Sequence, residues 1–359
     1  MKKFYFVLLI VLALSASPAL AASQSAAAAK AAWKPLTPKG FIPITWAKAP
    51  GIASYFKAPA DNGAIDFLTR IYLPQNQIDF IASTSTPLGT SSQSVATSSG
   101  SANDDISDLP NLSFQRLAAE AAKTISPAVK FIWDAPFFNL KPILSELSLA
   151  VKYSVGTTTA VSSGSRSVPD MAQSRRLLTV NNQSGQAAIT DFDPAVFLDN
   201  KNSDLALEGF NPSVLKTDSA GGGASRLFLG VSVDGRELAI YCSQLATVGE
   251  ASDALTAAGI PLDRQLEADG GGSAACGYNL PGQFFVEPTR SLPLLMGAET
   301  IVARGTVTTK TINVRSGPAT KYPIVVKFPK DTAVRAFEEK NGWYRIGAGE
   351  WVLGSLIKS

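Results

Sequence analysis

Apolar and polar positions alternate over many short stretches of this chain, and only two stretches space apolar residues as a helix does. Thr69-Arg70-Ile71-Tyr72-Leu73 and Ile78-Asp79-Phe80-Ile81 read as strands on either side of the turn Pro74-Gln75-Asn76-Gln77. Residues 129–134 form an apolar run that ends in Asp134. A carboxylate there is costly to bury without a partner. Residues 147–155, 177–180 and 187–190 read as further strands, with Asn181-Asn182-Gln183-Ser184-Gly185 as a turn. Residues 226–233 and 237–242 pair across Asp234-Gly235, a strong hairpin signal. Residues 284–286 are a last strand before the tail. The helical stretches are 114–124 and 250–258. In the first, Ser113 caps and Leu117, Ala118 and Ala121 share a face. In the second, Ala251, Ala254, Leu255 and Ala258 share one and Gly259 ends it. Residues 83–104, rich in Ser, Thr and Gly, read as a long exposed loop, and 216–224 as a flexible connection. Many short strands with two helices predict an α+β main domain.

Composition changes this picture at both ends. The 359 residues suffice for two or three domains. Lys2 and Lys3, the apolar run 4–14 and Ala19-Leu20-Ala21 read as a secretory signal, the alternative being an uncleaved anchor. Residues 22–33 are Ala/Ser-rich and read as a linker. No later stretch reaches membrane-spanning length, so the exported chain is expected to lack a transmembrane anchor and to sit in the periplasm, cell wall or medium. Cys242 and Cys276 form a disulfide in such a compartment or stay as two buried thiols. The chain holds no histidine, which excludes Ser-His-Asp and Cys-His catalysis and His-ligated metals. Residues 305–359 carry nine Lys/Arg against four Asp/Glu, while residues 22–304 carry a net −4. A basic tail suits an anionic envelope polymer, or is a solvated surface. It contains no nucleic-acid-binding motif.

The stretch with the clearest chemistry is Glu267-Ala268-Asp269-Gly270-Gly271-Gly272-Ser273. Three consecutive glycines lose much entropy on ordering, so something local needs bare backbone. The plain alternative is a structural turn without a ligand. Residues 226–296 resemble the C-terminal half of the phosphodiester glycosidase family. Its pattern is an Arg-led strand, an Asp-Gly hairpin, a helix, and a strand ending in Asp-Gly-Gly-Gly-Ser. Here these are Arg226, Asp234-Gly235, the helix near Ala254, and Asp269 to Ser273. Ile132-Trp133-Asp134-Ala135-Pro136-Phe137-Phe138 resembles the family's Asn-Gly-x-Phe-Phe segment, and Gly209-Phe210-Asn211-Pro212 its Gly-Gly-Pro segment. Three positions depart from the pattern: Asp134 and Glu267 stand where the family has Asn, and Ala274 where it has Ser.

The resemblance implies a sugar–phosphate diester as substrate. Gly270, Gly271, Gly272 and Ser273 are then a nest for phosphate oxygens, and Arg226 a bidentate clamp or else a surface ion pair. Asp269, Glu267 and Asp134 are the acid–base candidates. On an extended strand Glu267 and Asp269 share a face, and close carboxylates raise one pKa. The same carboxylates suit a hard cation such as Ca²⁺ instead.

Thr311-Ile312-Asn313-Val314-Arg315-Ser316-Gly317-Pro318, Asn341-Gly342-Trp343-Tyr344 and Glu350-Trp351-Val352 resemble a bacterial SH3 domain, which implies a small β-barrel that binds cell-wall peptides. Tyr322, Trp343 and Tyr344 are its candidate groove aromatics, and Trp351 belongs to the barrel core. The expected organisation is a signal peptide (1–21), a linker (22–40), a phosphodiester glycosidase-like domain (41–303) and the SH3 barrel (304–359). The expected function is an exported hydrolase of a sugar-phosphate or glycosidic bond in an envelope polymer. The alternative is a non-catalytic glycan- or peptidoglycan-binding protein on the same fold.

Overall fold

The computed structural model describes residues 33–46, 49–57, 63–82, 109–110, 129–134, 138–140, 144–147, 150–154, 157–162, 175–193, 200, 202–214, 223–279, 284–290, 292, 294–347 and 349–358. The expected helix at 114–124 and loop at 83–104 lie outside them. Among the described residues there is one α-helix, Val248–Ala257, against many strands. The main region is therefore mostly β, and the α+β expectation is corrected to that extent. Alternation of apolar side chains over six to ten residues commits these segments to sheet, whose two faces are buried against different partners.

An eleven-stranded sheet runs in the order Ile42–Pro43, Ile52–Lys57, Asp66–Tyr72, Glu237–Ala246, Ala224–Val231, Gln265–Gly270, Leu205–Phe210, Arg175–Asn181, Gln186–Asp191. Ala150–Ser154 and Thr157–Ser162 are attached beside it. A second sheet of five strands runs Phe284–Val286, Cys276–Tyr278, Val129–Asp134, Leu294–Thr300, Asn76–Ala82. One core joins them. Leu178, Leu227, Leu229 and Ile240 of the large sheet pack with Phe80, Phe131, Trp133 and Met296 of the small one. Fully burying side chains of this size stabilises by about 2–3 kcal/mol each. The opposite face of the large sheet carries the helix, whose Ala251, Ala254 and Leu255 pack on Leu68, Phe228 and Tyr241. Thr247 caps it: its hydroxyl accepts from Glu250 N at 3.1 Å, and the Glu250 carboxylate accepts from Thr247 N at 2.8 Å. The helix thus starts earlier than its apolar spacing alone predicts.

A disulfide between Cys242 and Cys276, with Cα atoms 6.5 Å apart, ties the large sheet to the small one. The tail forms two small sheets. Ala303–Val307 pairs with Ala333–Ala336 and Ile357–Lys358. The other runs Ile324–Pro329, Thr311–Arg315, Glu350–Leu353, Trp343–Gly347, Glu338–Lys340. Their core is Val307, Ile312, Val314, Val334 and Val352. This barrel is docked, not strung on a linker. Ile301 and Val302 alone separate it from the strand Leu294–Thr300, and their N–H groups donate to Gln75 O and Ala336 O. Arg304 donates to the carbonyls of Leu73, Pro74 and Asn76. Burial, with Arg335 nearby, pushes its guanidinium down to about 10. Arg345 lies buried between Glu338 at 3.1 Å and Glu299 at 3.8 Å.

Candidate functional site

The strands Ala224–Val231 and Gln265–Gly270 bring most of the sequence candidates together, but not on one face. Leu227 pairs with Asp269 and Phe228 with Glu267, so one residue of the first strand answers two of the second. This bulge at Ala268 cancels the alternation that would set Glu267 and Asp269 side by side. Residues directly opposite share a face. Glu267 therefore stands in the row Leu68–Tyr241–Phe228, on the helix side. Asp269 stands in the row Phe67–Cys242–Leu227, facing the small sheet, to which Cys242 is bonded. The expected shared face of the two carboxylates is thus corrected to opposite faces.

On the helix side, Arg226 Nη1 meets Glu267 Oε1 at 2.7 Å, with both side chains largely buried. Arg226 Nε also donates to Ala246 O at 3.4 Å. A buried guanidinium neutralised in this way is a structural element first. Its burial sets it apart from the exposed surface pair that the sequence suggested as an alternative.

On the other side, Asp134 ends its strand in the small sheet, held by its own N–H donating to Ala275 O at 2.9 Å. Its carboxyl lies close enough to that of Asp269 to influence its ionisation, and each residue is 1 % exposed. Two carboxylates buried this near each other repel, which favours keeping a proton on one of them. Burial raises Asp269 from its ordinary value to about 6. The Asp134 side chain, Gly270 N–H, the charge of Arg290 and the Ser273 hydroxyl pull the other way. Gly270 N donates to Asp269 Oδ1 at 2.5 Å.

Gly271–Ser273 forms a single 3₁₀ turn. Gly271 has φ +66°, which disfavours any side chain. At Gly272 a Cβ would run into Thr289 Oγ1, and Gly272 O accepts from Thr289 N at 2.9 Å. Arg290 Nε donates to Ser273 Oγ at 2.6 Å. The segment Thr289–Arg290 is therefore a strap against the glycine turn. Sequence reasoning missed Arg290: it lies in a Pro-Thr-Arg-Ser stretch with no periodicity to mark it. Among the described residues no group of three or more Cys, Asp or Glu side chains gathers as a cation site, so the Ca²⁺ alternative finds no cluster there.

In the tail, Trp343 and Trp351 are each 8 % exposed, and Tyr344 packs on the barrel core. Tyr322 is exposed. Trp343 is thereby corrected from groove aromatic to core.

Residues 310–358 match the bacterial SH3 domain family. No curated protein matches the chain. Among solved structures, a hypothetical protein from Synechocystis aligns at 13 % identity and TM-score 0.39, covering 72 % of this chain and 64 % of that one. The chain thus spans under two thirds of that protein's length. The catalytic domain of zebrafish N-acetylglucosamine-1-phosphodiester alpha-N-acetylglucosaminidase, auto-inhibited by its pro-peptide, aligns at 12 % identity and TM-score 0.44, covering 72 % of this chain and 88 % of that one. A putative exported protein from Burkholderia pseudomallei aligns at 11 % identity and TM-score 0.34, covering 68 % and 74 %. Likenesses of that size carry no argument about chemistry. No helix among the described residues is long and apolar enough to cross a membrane.

Proposed function

We propose that this chain is an exported, envelope-associated hydrolase of the phosphodiester glycosidase type, in which Asp134 and Asp269 act as one proton-carrying pair. The observation behind this reading is the Asp269 carboxyl, raised to about 6 and held against Asp134 beside the glycine turn. A carboxyl that keeps its proton close to neutral pH is the form a general acid needs. Carboxyls this near each other are too close to flank a sugar from two sides, which takes roughly 5 Å in retaining and more in inverting glycosidases. The pair therefore acts from one side. Hydrolysis breaks the bond between the anomeric carbon and the bridging phosphate oxygen, and a water oxygen bonds to that carbon. The water's proton passes to the pair, which returns one to the phosphate monoester. Arg290 and Ser273 are the proposed holders of the phosphate oxygens, since Glu267 neutralises Arg226. The SH3 domain supports association with a cell-wall polymer or peptidoglycan, which puts the substrate within reach.

One observation favours a second reading. The two carboxyls are 1 % exposed, which leaves a substrate little access to them and suits a fold without turnover. Purified protein on a panel of sugar phosphodiesters separates the two. The hydrolase reading expects turnover, reduced roughly a hundredfold or more by Asp269→Asn. Glycan binding with no turnover in either form supports the second reading and ends the first.

A further inference from the structure

The SH3 domain carries a surface that the hydrolase reading leaves unused and of which the wall-binding reading takes only Tyr322. Tyr322, Ile324, Val325 and Val326 are 37 %, 46 %, 56 % and 41 % exposed, a run of large apolar side chains that the barrel core does not use. They lie on and just before Ile324–Pro329, the terminal strand of the five-stranded sheet. Cations surround them. Residues 310–330 hold five Lys/Arg, namely Lys310, Arg315, Lys321, Lys327 and Lys330, and no Asp or Glu. Arg315 Nη1 donates to Tyr322 O at 2.7 Å, and Lys321 Nζ lies 5.7 Å from the centre of the Tyr322 ring. Charge and apolar area therefore form one patch.

An exposed edge strand usually invites an added strand. This one resists it. Its ladder with Thr311–Arg315 is broken by a bulge at Val325, and Pro323 and Pro329, which have no N–H, stand at its two ends. It offers side chains rather than backbone. An edge strand with consecutive exposed apolar residues suits a fluid apolar phase ringed by negative charge. Lysine stems can lie along that phase while their ammonium groups reach the headgroups.

We propose that Tyr322, Ile324, Val325 and Val326, with Lys321, Lys327 and their basic neighbours, dock the protein on an anionic lipid surface. The chemistry is that of a peripheral membrane contact, shallow apolar insertion plus attraction to anionic headgroups.

The test is co-sedimentation of residues 22–359 with phosphatidylglycerol-containing vesicles and with phosphatidylcholine vesicles. Binding is expected to the first and to be weak on the second. Lys321→Ala with Lys327→Ala should weaken it roughly thirtyfold. Ile324→Ser with Val325→Ser should weaken vesicle binding while leaving adsorption to soluble polyglutamate unchanged. Both pairs are exposed, so an unaltered thermal midpoint shows that the variants remain folded. Three results would overturn the proposal. They are no binding to anionic vesicles, equal binding to both vesicle types, or vesicle binding that the serine variant retains in full. Retention would assign the patch to polyanions at large. None of these results bears on hydrolysis by the Asp134–Asp269 pair.

Discussion

Glu267 and Asp269 are two residues apart, yet they answer to different partners because Ala268 is one residue too many for the opposing strand. Glu267 is committed to Arg226 across 2.7 Å in a nearly dry setting. Glu267→Ala takes a buried carboxylate away from that guanidinium, and should destabilise the protein by about 3–5 kcal/mol. Denaturant unfolding measures this, and replacing both partners with apolar residues of like volume should recover much of the loss. Asp269 sets a pH dependence of opposite sense to an ordinary paired carboxylate. Its folded value, about 6, lies above the ordinary 3.8. Its stabilising contribution is complete below 3.8 and is lost as pH rises to about 6. That amounts to about 3 kcal/mol. Unfolding midpoints taken across that window should fall with pH in the wild type and stay flatter in Asp269→Asn.

At the scale of elements, the disulfide is the clearest case of two sheets made to keep register. It closes a separation of 34 residues, worth about 4 kcal/mol in chain-entropy accounting. Cys242→Ser with Cys276→Ser should lower stability by about that much in denaturant melts. It should also loosen the meeting of Asp134 with Asp269, since Cys276 pairs with Trp133, next to Asp134. Much at this scale was legible in the sequence. The runs at Val129–Asp134 and Phe284–Val286 end where apolar character ends, and Asp234-Gly235 marks its hairpin. The Thr247–Glu250 capping box was present as a Thr-x-x-Glu signature, though apolar spacing alone starts the helix later. The bulge at Ala268 was not legible. A single extra residue in an apolar strand carries no Gly or Pro to announce it, and its effect depends on the partner strand. The same holds for Arg290, whose role comes wholly from the strap meeting the glycine turn.

Over the whole molecule, the SH3 domain and the main region belong to one compact unit from Pro35 onward. The charge split along the sequence suggested a separable anchor. What it hid is that Arg304, just before the basic tail, and Arg345 within it turn inward, onto the carbonyls around Pro74 and onto Glu299. Arg345→Ala should destabilise the junction by about 3–5 kcal/mol by leaving Glu299 buried with its counter-charge removed. Limited proteolysis near Ile301–Val302 should then be fast in the variant and slow in the wild type. At the candidate site, the proposal is that Asp134 and Asp269 share one proton in a buried pair. Infrared difference titration against Asp269→Asn measures it most directly. The account predicts a buried carboxylic C=O band in the wild type that disappears as pH rises through about 6 and is missing from the variant. Carboxyls that all ionise near their ordinary values, with no difference between the two proteins, would contradict it.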